Sequence, residues 1–135
     1  MKITTFDPHI ATAHPEDVIS LFEALGFEER HNLKDAAGWT GPQMKRLTDE
    51  NGFHVDIASS KGREEDLTDM TLTQDLTAIR MNVDNYDEAY DLLTAHGFKV
   101  LNPTGKVRTE FMITSLMQAP SGFAILLIQH IKAHE

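Results

Sequence analysis

Two pairs of polar residues in this sequence have the spacing and the chemistry of a binding site. Asp7 and His9 are two residues apart in "ITTFDPHIAT", and His54 and Asp56 are two residues apart in "FHVDIAS". Because side chains alternate between the two faces of a β-strand, each pair shares a face if these stretches are strands. Carboxylates and imidazoles bind divalent metals, and they also line cavities or form ion pairs without any metal. The spacing leaves this choice open.

Arg80 is a fifth candidate, because it interrupts an alternating apolar pattern. It lies between Ile79 and Met81 in "LTAIRMNV", so on a strand it points to the face opposite these two residues. A guanidinium there can clamp a carboxylate or phosphate of a ligand. It can instead be structural, either in an internal ion pair with Asp56 or Asp7 or as a solvated side chain at an exposed strand surface. The sequence supports both interpretations.

Composition excludes several other functions. The 135-residue chain has no cysteine, which excludes disulfides, thiolate nucleophiles and cysteine-ligated zinc. Its net charge of −9 disfavours nucleic acid and is compatible with a cationic ligand or with solubility alone. No segment approaches the roughly 20 apolar residues that span a bilayer, and "MKITTFDPHI" has no apolar signal-peptide stretch. We therefore expect a cytoplasmic protein with no nucleic-acid or membrane partner.

The predicted elements that position the candidate residues occur twice in the sequence. "LFEALGF" at 21–27 and "LLTAHGF" at 92–98 both end a stretch with helical spacing of apolar residues, and they are 71 positions apart. One strand-like stretch precedes each helix and three follow it, with "DENG" and "APSG" as the turns before the last strand of each half. Each half therefore predicts the order βαβββ.

The repeat predicts an α+β fold in one compact domain made of two modules. The first βαβββ module covers residues 1–60, a polar linker covers 61–75, and the second module covers 76–135. Pro8 cannot donate a backbone hydrogen bond, so it indicates an irregularity or an edge in the first strand.

With this organisation the sequence resembles the vicinal-oxygen-chelate superfamily, which includes glyoxalases, extradiol dioxygenases, fosfomycin-resistance enzymes and bleomycin-resistance proteins. "LFEALGF" stands where that superfamily has a Leu-Gly-Phe-like helix end, and "DENGFHVDI" stands where it has a hairpin ending in Glu-Leu. The resemblance implies that the two repeats form paired half-barrel sheets around a shared cavity. It identifies a fold more directly than a reaction.

Metalloenzymes of that superfamily place one ligand on the first strand and one on the last strand of each repeat, where the metal polarises a substrate oxygen. The corresponding positions here are Asp7, Asp56, Ala78 and Leu126. Alanine and leucine cannot bind a cation, so the resemblance implies no complete metal site and no cofactor. A divalent metal is expected only if the register of the first strand is wrong, because His9, His54 and Asp56 would then form a better set. The alternative is that these histidines lie on the surface or the cavity wall.

The resemblance implies a small-molecule-binding protein similar to the bleomycin-resistance proteins. The predicted ligand-binding residues are Asp7, His9, His54, Asp56 and Arg80. The alternative is a metal-dependent lyase, isomerase or dioxygenase similar to glyoxalase, and the sequence identifies no catalytic residue for it. We also expect a homodimer, since relatives bury strand edges or complete their cavities in that way.

Overall fold

The computed structural model contains the strands and helices that the repeat predicted. It describes residues 1–32, 44–59, 75–103 and 105–131. In chain order the elements are β1 (Ile3–Thr12), α1 (Pro15–Ala24), β2 (Glu28–Asn32), β3 (Met44–Thr48), β4 (His54–Ser59), β5 (Leu76–Val83), α2 (Tyr86–Ala95), β6 (Lys99–Val100), β7 (Val107–Arg108), β8 (Met112–Gln118) and β9 (Ala124–His130). The α+β class is confirmed, with β7 as an additional short strand in the second half.

The described strands form one sheet in which the two repeats lie side by side. The strand order is β2-β3-β4-β1-β5-β9-β8-β6, and β7 pairs with β8. β1 is parallel to β4, and β5 is parallel to β9. β1 and β5 run antiparallel to each other, and their pairing joins the two repeats. We call this β1–β5 ladder the seam.

The strand registers of the two repeats match. A shift of 71 residues relates their first and second strands, and a shift of 70 relates their last two. The matching pairs are His9–Asp56 with Arg80–Leu126, and Glu28–Thr48 with Lys99–Gln118. The fold is therefore two βαβββ repeats that form paired half-barrel sheets, as predicted.

Local signals set the ends of both helices. Pro15 occupies the first turn of α1, where a missing N–H removes no helical hydrogen bond. Asn85 caps α2, because its side chain accepts a hydrogen bond from the backbone N–H of Glu88. Both helices are followed by a glycine with positive φ, Gly26 at 101° and Gly97 at 91°. Glycine adopts this conformation without strain, which explains the two Gly-Phe endings.

The hydrophobic core lies between the helices and one face of the sheet. Leu47 and Ile57 are buried under α1, and Met81 and Leu127 are buried under α2. Because strand side chains alternate, the neighbouring residues point to the other face, which we call the inner face. The inner face carries Asp7, His9, Arg46, Asp56, Ala78, Arg80, Leu116, Ala124 and Leu126.

Pro8 fits β1 because of its position along the strand. It is opposite Ile79 of β5, and pairing with β4 begins one residue later, at His9. Pro8 therefore lies outside the β1–β4 ladder, and its missing N–H removes no hydrogen bond from that ladder. The expected irregularity is also present, since the register of β1 against β5 shifts between Ile3 and Thr5.

The predicted linker, residues 61–75, lies outside the described residues except for Asp75. The module boundaries stay a prediction for that reason. In the part of the chain that is described, neither helix is long and apolar enough to cross a membrane.

Candidate functional site

The inner face brings four of the five predicted site residues into one polar cluster. These four are Asp7, His9, Asp56 and Arg80. They come from β1, β4 and β5, so the cluster spans the seam. The fifth, His54, lies beside it: its Nδ1 atom is 2.8 Å from the hydroxyl oxygen of Thr48.

Asp56 is the centre of the cluster and is completely buried. Its Oδ1 accepts a hydrogen bond from Nε of Arg46 at 3.0 Å, and its Oδ2 accepts one from Nη1 of Arg80 at 3.3 Å. Arg46 belongs to the first repeat and Arg80 to the second. A buried carboxylate needs such partners, because an unpaired charge in the protein interior is strongly unfavourable.

Arg46 extends the cluster to Asp7, and it was not among the predicted site residues. Its Nη2 donates a hydrogen bond to Oδ2 of Asp7 at 3.3 Å. Burial acts to lower the pKa of Arg46, but the hydrogen bond to Asp56 and the charges of Asp56 and Asp7 outweigh burial and raise it. The "DENG" turn contained the missing signal, because a hairpin closed there places Arg46 directly opposite Asp56.

Arg80 is the more deeply buried arginine. Its side chain is 8% exposed, against 28% for Arg46. Its Nε donates a hydrogen bond to Oδ1 of Asn82 at 3.3 Å. Burial lowers the pKa of Arg80; Asp56 opposes this shift, and the positive charge of Arg46 adds to it. Of the two sequence interpretations, the internal ion pair with Asp56 is therefore observed, and the clamp on a ligand stays a prediction.

His9 lies directly opposite Asp56 on the neighbouring strand and is buried. Its Nδ1 atom is also buried, and it has no hydrogen-bond partner within the described residues. Burial lowers the pKa of His9 to about 4; the charge of Asp56 opposes this shift, and Arg80 adds to it. His9 is therefore neutral at pH 7 and adds no charge to the cluster.

The depressed pKa of His9 predicts a loss of stability in mild acid. The unfolded chain binds a proton at His9 below pH 6.5, whereas the folded chain binds it only below about pH 4. Stability is therefore highest above pH 6.5 and falls as the pH decreases towards 4. From pH 7.5 to pH 5, this single group removes about 2 kcal/mol of unfolding free energy. Urea denaturation at both pH values measures this loss of unfolding free energy.

His9→Gln removes the titrating group, so its stability should change less between the two pH values than that of the wild-type protein. His14→Gln is the matched control, because His14 is exposed. It should keep the wild-type pH dependence. Equal pH dependence in His9→Gln and the wild-type protein would contradict the prediction.

The second repeat completes the inner face with apolar side chains. Ala78, Leu116 and Ala124 form a buried cluster, and Leu126 packs against it. Across the described ranges, no three or more His, Cys, Asp or Glu side chains are grouped so that they could hold a metal ion. The polar residues on the described inner face do not fit a divalent metal, because both oxygens of Asp56 are already paired with guanidinium groups.

Comparison with known proteins assigns this architecture to a family. Residues 5–127 match the family model of the Glyoxalase/Bleomycin resistance protein/Dioxygenase superfamily. The chain belongs to this superfamily. The assignment confirms the resemblance that the repeats and the two motifs indicated. Among curated proteins, none matches the chain.

Solved structures of the superfamily share this fold at low sequence identity. A member from Vibrio splendidus 12B01 is 16% identical with a TM-score of 0.56, over 95% of this chain and 99% of that chain. Methylmalonyl-CoA epimerase from Mycobacterium tuberculosis is 14% identical with a TM-score of 0.58, over 96% of this chain and 90% of that chain. A variant of the Streptomyces coelicolor methylmalonyl-CoA epimerase in complex with 2-nitronate-propionyl-CoA is 16% identical with a TM-score of 0.58, over 99% of both chains. These similarities show the fold alone.

Proposed function

We propose that this protein binds a small molecule on the inner face and has no complete metal site. The observation that carries the proposal is the pairing of Asp56. This residue stands at the last-strand position where metalloenzymes of the superfamily are expected to place a ligand. Each of its oxygens is instead paired with an arginine, one from each repeat.

The charges of the cluster oppose a divalent cation. To reach Asp56, a metal ion would have to displace Arg46 and Arg80 or lie beside both of them. Like charges repel strongly in a buried site of low dielectric constant. Ala78 and Leu126, the second-repeat counterparts of Asp7 and Asp56, supply no ligand that would compensate. This arrangement favours a binding protein over a metal-dependent lyase, isomerase or dioxygenase, which is the alternative function.

The inner face has the mixed character of a small-molecule site. Such sites are mostly apolar, with a few polar groups that fix the orientation of the ligand. Here the polar groups lie on the side of the first repeat, with Arg80 added across the seam. The apolar residues lie on the side of the second repeat. A ligand with a polar head and an apolar body fits both sides, and the homodimer implied by the resemblance stays a prediction.

Metal analysis tests the proposal directly. We expect the purified protein to contain metal well below one equivalent per chain, measured by plasma mass spectrometry. We also expect Ni²⁺, Zn²⁺ and Mn²⁺ to leave the melting temperature nearly unchanged, because a ligand that binds the native state raises stability by mass action. A screen of small organic molecules should give shifts that the metals do not give.

Incubation with EDTA followed by dialysis provides the control for metal lost or gained during purification. One tightly bound equivalent, together with a rise in melting temperature that EDTA reverses, would refute the proposal. That result would favour the metal-dependent alternative.

A further inference from the structure

We propose that the ligand of the inner face presents a carboxylate, or an oxyanion of similar hydrogen-bonding chemistry, to Arg46 and Arg80. This inference rests on the proposed function, since it assigns a ligand class to the same site. It is carried by the charges and the free hydrogen-bonding groups of the arginine cluster. That cluster consists of Asp7, Arg46, Asp56, Arg80 and Asn82.

The arginine cluster contains two cations and two carboxylates, but the carboxylates are shared unevenly between the two arginines. Arg46 and Arg80 share a single completely buried carboxylate, that of Asp56. The second carboxylate, Asp7, bonds Arg46 alone among the described residues and is 18% exposed. Arg80 therefore shares its only carboxylate partner in the described structure with another cation. A buried cation that shares its counter-ion with another cation is unfavourable. An anionic group on a ligand would supply a second counter-ion.

Within the part of the chain that is described, the arginine cluster has one free carboxylate oxygen, Oδ1 of Asp7, and a larger number of free donors. A guanidinium has five N–H donors and no acceptor. Arg46 uses Nε and Nη2, and Arg80 uses Nε and Nη1. In the described structure, Nη1 of Arg46, Nη2 of Arg80 and the amide nitrogen of Asn82 have no acceptor. A ligand that accepts hydrogen bonds satisfies these groups, whereas a ligand that only donates does not.

A cationic ligand fits the arginine cluster poorly. The net charge of −9 attracts cations to the protein as a whole. At the cluster, however, both oxygens of Asp56 are occupied, and Asp7 is the carboxylate that remains accessible. A cation at Asp7 would lie next to the exposed part of Arg46 and would be repelled by it. Local geometry therefore favours an anion although the overall charge does not.

Three probes with the same ring and different head groups separate these cases. Benzoate carries a carboxylate, benzamide is its neutral counterpart, and benzylammonium carries a positive charge. We expect the 135-residue protein to bind benzoate saturably in the millimolar range, as suits so small a ligand. Benzoate should bind at least about tenfold more tightly than the other two, because charge-assisted hydrogen bonds to arginine are strong. Isothermal titration calorimetry at pH 7.5 measures all three.

Two substitutions in the cluster should change benzoate affinity in opposite directions. Arg46→Gln removes one cation and should weaken binding at least about tenfold. Asp7→Asn removes a competing carboxylate and should strengthen binding, a gain that loss of folding cannot imitate. Arg108→Gln is the control, since Arg108 is exposed on β7 opposite Ile113, away from the inner face. It should leave benzoate affinity unchanged.

Several results would overturn the assignment of an oxyanion ligand. They are equal or tighter binding of benzamide or benzylammonium, full benzoate affinity in Arg46→Gln, weaker binding in Asp7→Asn, and no benzoate binding by the wild-type protein. The proposed function has its own readout in the metal analysis. If the protein contains no metal and binds benzylammonium more tightly than benzoate, the proposed function stands. Only the assignment of an oxyanion ligand is then wrong.

Discussion

Replacing Asp56 with alanine is expected to lower the free energy of unfolding by about 3–5 kcal/mol. Asp56 is completely buried and is the shared partner of Arg46 and Arg80. Its removal leaves Arg80, with a side chain that is 8% exposed, without a carboxylate partner among the described residues. Unpaired buried charge is among the few causes of such large single-residue effects. Urea denaturation followed by far-UV circular dichroism measures the change.

The control is an ion pair of the same charge types at the surface. Nζ of Lys45 lies 3.4 Å from Oε2 of Glu29, and the two side chains are 30% and 37% exposed. Solvent screens this pair, so Glu29→Ala should change stability by less than about 1 kcal/mol. Equal effects of Asp56→Ala and Glu29→Ala would contradict the prediction.

A double variant separates unpaired charge from simple loss of packing. In Asp56→Ala with Arg80→Met, the buried cation is absent together with the carboxylate. Its destabilisation should be smaller than the sum of the two single effects by about 1–3 kcal/mol, the usual coupling between contacting residues. Additive effects would show that Asp56 and Arg80 stabilise the fold independently.

Much of the fold could be predicted because its signals are local. The Gly-Phe endings correspond to helix ends with positive φ at Gly26 and Gly97. The "DENG" and "APSG" turns close the two hairpins, and each has Gly52 or Gly122 with positive φ. These signals occur twice at nearly constant spacing, so the repeat could be recognised even though no single motif was specific.

The site could be predicted only in part, because its contacts join distant strands. Alternation paired Asp7 with His9 and separated Arg80 from its apolar neighbours, since it depends only on the geometry of a single strand. Alternation did not predict how deeply Asp56 is buried, because burial depends on the strands on both sides of β4. Arg46 was overlooked because residues on the third strand were not paired with the fourth through the turn between them.

Comparison of the repeats explains how the cluster differs from a symmetric site. By register, His9 corresponds to Arg80, and Arg46 corresponds to Leu116. The first repeat therefore supplies most of the polar groups, while the second supplies apolar groups and a single arginine. That arginine crosses the seam to Asp56, so one ion pair connects the two halves at the site as the β1–β5 ladder connects them along the sheet.

Because the two repeats are connected in this way, we also predict large effects on stability for substitutions in their hydrophobic cores. Leu47 and Met117 are counterparts 70 residues apart, and both are completely buried. Leu47→Ala and Met117→Ala should each lower the free energy of unfolding by about 2–5 kcal/mol, because each leaves a cavity in a packed core. Since the seam joins the repeats, we expect both substitutions to weaken the same cooperative transition.

Hydrogen exchange with mass spectrometry tests this coupling. Leu47→Ala should speed exchange in peptides from β9 as well as in peptides from β4, since global opening exposes both. Leu25→Ala is the matched control, because Leu25 is 62% exposed and its loss should change stability by less than about 0.5 kcal/mol. Faster exchange confined to the first repeat would contradict cooperative unfolding. It would mean that the seam, with its ladder and the Arg80–Asp56 ion pair, is weaker than the core of either repeat.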